Sequence, residues 1–184
     1  MSTTTPPTAL DPRHLAQQAE PLSGSAPLSV FARLSEGLPG LDAAPASVSW
    51  SARAEWRQAA GAAEPQLWLL LQLGAEVPQT CQRCLQPYAQ AVEAERWFRF
   101  VATEAIALAE DDDSEEDLLV LDPRFDLFAL IEDELLLELP LVPMHEQCPE
   151  PPRMSAGELP EAEPQDRPHP FAALAAFKGR ADKT

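Results

Sequence analysis

Three cysteines and one histidine are the side chains best suited to chemistry in this chain, and they fall into two pairs. The first is Cys81-Gln82-Arg83-Cys84, followed by Leu85-Gln86-Pro87. Two thiolates three positions apart on a turn between strands reach one tetrahedral zinc ion. The second pair is His145 and Cys148, in H-x-x-C spacing. Joined, Cys81, Cys84, His145 and Cys148 make a closed Cys3His set for one structural zinc, tying a strand turn to the end of a helix. Two other readings of the C-x-x-C stay open, unliganded thiols and redox chemistry. The redox reading wants the first thiol at a helix N-terminus, where its pKa falls. Pro87 and the alternating pattern after it argue against such a helix. Leu85 also stands where many zinc knuckles have glycine.

Other chemistry finds little support. The chain has no G-x-S-x-G, no glycine-rich phosphate loop and no H-E-x-x-H. Its histidines, His14, His145 and His169, are dispersed. Metal-assisted hydrolysis wants an open coordination position, which a closed Cys3His set lacks. Glu132-Asp133-Glu134 point in three directions on a helix and cannot form one carboxylate pair. They read as a solvated face, or as a docking surface for something basic. The run EDDDSEED at 110–117 holds seven acids in eight residues and reads as a solvated loop. Trp50, Trp56, Trp68 and Trp97 lie on strand patterns without clustered basic residues, which favours packing over a base-stacking platform.

The elements that must carry these residues are legible from periodicity. Asp11-Pro12 opens a short helix, with Asp at N-cap and Pro at N1. Residues 23–29 read as a turn, and a second short helix is expected within 27–36. Val48 to Trp56 is the cleanest strand, with Val48, Trp50, Ala52, Ala54 and Trp56 on one face. Gln66 to Val77 is more uniformly apolar and reads as a central strand. Tyr88 to Val101 alternates again, Val92, Ala94, Phe98 and Phe100 against Glu93, Glu95, Trp97 and Arg99. A helical turn at 104–108 and a short strand at 118–121 follow. Asp126 caps a helix from Leu127 to Leu139, with Leu127, Leu130, Ile131 and Leu135 on one face. Pro140 ends it. The fold class is therefore α+β: an antiparallel meander, strongly curved, packed against one main helix, with short terminal helices.

Nine prolines between 140 and 170 make the region from 149 to 170 a linker after a single domain over 1–148. Residues 171–184 form a helical arm, whose Phe171, Leu174 and Phe177 make an apolar ridge for docking. The 184 residues carry 13 basic and 30 acidic side chains, a net charge of −17. A surface this acidic excludes a general nucleic-acid coat. No apolar run approaches the ~20 residues of a membrane span, and residues 1–7 do not read as a secretory signal. Three cysteines do not form a disulfide framework, so a reducing cytoplasm is the expected compartment.

The segments CQRCLQP at 81–87, EDELLLELPLVPMHEQC at 132–148 and PHPFAALAAFK at 168–178, with Leu10-Asp11-Pro12 near the start, resemble the bacterial YceD family. Its members are also called large ribosomal RNA subunit accumulation proteins. The resemblance implies a cytoplasmic, non-catalytic role in the synthesis, processing or stability of 23S ribosomal RNA. The family-like positions are Cys81, Arg83, Cys84, Pro87, Glu132, Asp133, Glu134, Pro140, Pro143, His145, Cys148, Pro170 and Phe171. With the charge, that role points to a basic partner, a ribosomal protein or assembly factor, met by Glu132, Asp133 and Glu134. The alternatives are a metal-dependent RNA-processing enzyme, and direct RNA contact through Arg83 in a basic patch with Arg96 and Arg99. No small-molecule substrate is expected.

Overall fold

The computed structural model describes residues 8–18, 20–38, 46–58 and 64–150. The chain divides into two units, Met1–Glu150 and Pro151–Thr184. The expected arm, with Phe171, Leu174 and Phe177, and all but the start of the expected linker lie outside the described residues.

The strands are β1 (Leu22–Pro27), β2 (Ser47–Arg57), β3 (Gln66–Thr80), β4 (Pro87–Val101) and β5 (Asp117–Val120). The helices are α1 (Pro12–Leu15), α2 (Ala32–Gly37), α3 (Glu104–Glu110) and α4 (Leu127–Glu138). The five strands form one sheet in the order β1-β2-β3-β4-β5. From β1 to β4 every pair is antiparallel, whereas β5 runs parallel to β4. The sheet is thus mixed, not the wholly antiparallel meander expected. The reason lies in residues 102–116, long enough to hold α3 and return the chain to the level of Phe98, so that β5 runs beside the last four residues of β4 in the same direction.

Alternation sorts the strands as the sequence predicts. Val48, Trp50, Ala52 and Ala54 of β2, Leu67, Leu69, Leu71 and Leu73 of β3, and Val92, Phe98 and Phe100 of β4 are buried together. Leu127, Leu130, Ile131 and Leu135 of α4 close this face. Asp126 caps α4 by accepting from the backbone N–H groups of Phe128 and Ala129, and Asp11 does the same for Arg13 at α1. Trp56 departs from the expectation: at the end of β2 its ring is half-exposed.

Residues 23–29 are not a turn. Ser23 to Pro27 belong to edge strand β1, paired on one side only. Serine, glycine and proline mask it in the sequence, but the glycine has a packing reason. A Cβ on Gly24 would lie 2.8 Å from Cζ2 of Trp50, whose indole meets Phe128 edge-on at 6.1 Å. β3 also runs three residues further than expected, through Pro78. Pro78 pairs with Ala89 of β4, while the β2 ladder stops at Ala75, so the missing N–H falls on a free edge.

Candidate metal centre

Because β3 and β4 outrun β2, the last residues of β3 and the first of β4 project as a two-stranded ribbon with the turn 81–86 at its tip. Within that turn the Cys81 N–H donates to the Gln86 carbonyl at 3.0 Å, and the Leu85 N–H to the Cys81 carbonyl at 2.8 Å. Leu85 closes the knuckle with φ of 61°, the left-handed conformation that favours glycine. On the other side, Pro140 ends α4 and the chain runs back to the tip. The Gln82 N–H donates to the Pro143 carbonyl at 2.8 Å.

This return places the four ligand atoms of Cys81, Cys84, His145 and Cys148 within 4.8 Å of one another. Cys81 Sγ lies 3.8 Å from Cys148 Sγ, and Cys84 Sγ 3.4 Å from His145 Nδ1. Bond lengths of about 2.3 Å to sulfur and 2.0 Å to nitrogen give tetrahedral edges of about 3.8 and 3.5 Å. The quartet read from the sequence is one cluster with spacings that fit zinc. Cys81 is fully buried, and the ring of His145 packs on Tyr88 at a centroid distance of 4.8 Å.

Electrostatics prepare one thiolate in advance. Burial pushes the Cys81 thiol up. Hydrogen bonds from the N–H groups of Cys84, His145 and Arg83 and from the His145 side chain outweigh it, lowering the thiol to about 5. Burial raises the Cys84 thiol, and the neighbouring Cys148 and Cys81 add to the rise. Arg83 is a clamp on the cluster: its Nε donates to Cys148 Sγ at 2.9 Å and its terminal nitrogen to the His145 carbonyl at 2.8 Å. The sequence placed Arg83 beside the knuckle, with phosphate contact as the alternative to a protein partner. In the structure its Nε and one terminal nitrogen bond the ligand-bearing strap.

The comparisons with known proteins bear on these residues directly. A profile of the family described as "Large ribosomal RNA subunit accumulation protein YceD" matches residues 69–178, which hold the whole cluster. The chain belongs to the YceD family. It is 40% identical over 117 residues to the Large ribosomal RNA subunit accumulation protein YceD of Haemophilus influenzae, a match covering 56% of this chain and 60% of that protein. No solved structure gives a significant match.

In this YceD-family chain the remaining expected site residues sit differently from the sequence reading. Glu132-Asp133-Glu134 is not a solvated face. Glu132 is 8% and Glu134 3% exposed, and only Asp133 meets water. Glu132 reaches α2, ninety-nine positions away from Arg33, where its Oε1 accepts from the N–H groups of Arg33 at 2.7 Å and Leu34 at 3.2 Å. The N-cap position of α2 is Phe31, whose side chain makes no cap bond. Glu132 is therefore a capping group supplied from another helix. Burial pushes its carboxyl up, but bonds from the Leu34 N–H and from Arg33 outweigh this and hold it below the ordinary range. Asp133 pairs with Arg33 at 2.6 Å. Glu134 lies 2.8 Å from Arg96 Nε, an ion pair without hydrogen-bond alignment. Burial raises its carboxyl, with Arg96 opposing.

Arg83, Arg96 and Arg99 do not make a free basic patch. Arg96 is shared among Glu134, Glu138 and Asp117. Arg99, itself buried, bonds Glu116 at 2.6 Å, Glu110 at 2.8 Å and Ser114 Oγ at 2.9 Å. The acidic run 110–117 is largely solvated, with Asp111, Asp112, Asp113 and Glu115 exposed, but Glu110 and Glu116 anchor it to Arg99. Trp50 is in the core, whereas Trp97 and Trp68 are covered by the Arg57 guanidinium at 3.6 and 4.9 Å from their ring centres. Arg57 fills the place a stacked base would need. No described helix is long and apolar enough to cross a membrane.

Proposed function

We propose that this YceD-family protein is a non-catalytic cytoplasmic factor supporting the accumulation of 23S ribosomal RNA. It acts through a basic protein partner and is organised around one structural zinc held by Cys81, Cys84, His145 and Cys148. The process rests on family membership. The manner rests on a single observation: four protein ligand atoms lie close enough to complete a tetrahedron, so an ion held there has no position left for substrate. Its contribution is to cross-link the ribbon and the strap, coupling metal binding to local folding. Arg83 supports this by balancing the negative charge of three thiolates around one divalent ion.

Direct RNA contact through Arg83 is less well supported, because its Nε and one terminal nitrogen already bond Cys148 and the His145 carbonyl. A protein partner suits a chain at −17 better than bare phosphate does. The test has two arms. Loss of the protein from cells should lower large-subunit ribosomal RNA relative to small-subunit RNA. Purified protein incubated alone with precursor ribosomal RNA should leave it uncut. Cleavage by the purified protein, or unchanged RNA levels without it, would overturn the proposal.

A further inference from the structure

We infer that the metal end of the molecule is a docking surface for a protein segment with an apolar face and a lysine- or arginine-rich rim. The inference rests on the partner-mediated reading above and names the surface that serves it. Leu85 is the first observation. It holds φ of 61° and is 71% exposed. A left-handed conformation strains a residue that carries a side chain, and Leu85 recovers little of that by packing. Glycine would close the same knuckle without strain. A strained and exposed leucine is accounted for by a contact outside the chain.

The strap supplies more of the same surface. Leu141 is 102% exposed, and Val142 and Met144 are about half-exposed beside it. This segment is pinned to the Leu85 knuckle by the bond from the Gln82 N–H to the Pro143 carbonyl. Exposed apolar side chains scattered singly need no explanation, but four on the two segments that carry the ligands do. The charge at this end leans acidic. Glu146 and Glu150 are exposed, and among the described residues neither enters an ion pair. The nearby cation, Arg83, is exposed but bonds Cys148 and the His145 carbonyl, so two unpaired acids stand against one engaged arginine. An apolar centre with an unpaired anionic margin complements an amphipathic basic segment and repels phosphate.

The test uses the full chain purified with zinc and a fluorescent leucine–lysine amphipathic helical peptide as the probe. Anisotropy should show salt-sensitive binding that a leucine–glutamate peptide does not reproduce. Combining Leu85→Gly, Leu141→Ser and Val142→Ser should weaken it at least about tenfold. Leu85→Gly alone relieves strain, so its thermal stability should be equal or higher while its affinity falls, which separates lost contact from lost fold. Equal affinity of the triple variant, or no binding by the wild type, would overturn the inference. So would a wild-type dimer that the same substitutions dissolve, since the surface would then belong to a second copy. In cells lacking the protein, the triple variant should fail to restore large-subunit RNA. If it restores that RNA while the empty deletion does not, docking fails and the proposed function stands. If the deletion itself changes nothing, the proposed function fails, and docking is judged on the peptide alone.

Discussion

Replacing Glu132 with alanine removes the acceptor for the first turn of α2 and is expected to cost about 2 kcal/mol. Losing a capping acceptor costs about 1 kcal/mol. Leu34 is fully buried, so its N–H, bonded to Oε1 at 3.2 Å, has no water to replace the carboxylate. An orphaned buried donor adds about 1 kcal/mol or more. The ion pair with Arg33 is left out of the sum, because that guanidinium is half in solvent and the attraction is screened. Asp133→Ala is the matched control: it breaks the shorter pair with Arg33, at 2.6 Å, but both side chains are half-exposed. That variant should be nearly neutral. Urea unfolding followed by tryptophan fluorescence measures both, since Trp50 sits in the core beside Phe128. Equal losses for the two variants would refute the remote cap. For the same reason, lysine at 132, 133 and 134 together should unfold the domain, as it leaves two buried sites with the wrong charge.

Acidification should narrow the gap between wild type and Glu132→Gln. The Glu132 contribution is complete above its unfolded value, near about 4.3, and fades as pH falls through its depressed folded value. Glu134 has the opposite sign. Its raised carboxyl, set by burial and by Asp117, Glu138 and Asp133 against Arg96, removes stability as pH rises through it. Denaturant midpoints across pH for Glu132→Gln and Glu134→Gln should therefore bend in opposite directions. Gly24→Ala should cost about 1–3 kcal/mol by thermal unfolding, because its Cβ would lie 2.8 Å from an indole already held by Phe128. Cys84→Ser and Cys148→Ser should each reduce bound zinc to well below one per chain by elemental analysis. Hydrogen exchange should then accelerate across 139–148 while the β2–β3–β4 ladder stays protected.

The ligand quartet was legible because thiols and imidazoles in short pairs have few other uses, and two pairs suffice to imply one centre. β2 and β4 were legible because one face is buried and the other wet, which leaves period two in the sequence. β1 was not, since an edge strand built from serine, glycine and proline has no period to read, and only Trp50 explains Gly24. The parallel β5 was missed because strand direction depends on the length of a crossover, not on the strand itself. The misreading of Glu132 and Glu134 has a physical cause as well. Charge runs are usually wet, and what buries these two is a set of partners, Arg33, Leu34 and Arg96, that local patterning cannot supply. One signal was available: the residue before α2 is Phe31, which cannot cap, so the first N–H groups of that helix had to find an acceptor elsewhere.

The contact between Cys81 and Cys148 also has a topological meaning. These residues are 67 positions apart, and β4, α3, β5 and α4 all lie between them. A metal clasp there converts most of the domain's second half into a closed ring of chain. A cross-link of that span removes roughly 4 kcal/mol of conformational freedom from the unfolded ensemble. That effect adds nothing to the contacts of the folded state, yet it shortens the search by which α4 finds the sheet. Whether the ion is bound before or after the chain collapses therefore decides how many ways the polypeptide has of going astray. Refolding rates with and without zinc would report on that order of events.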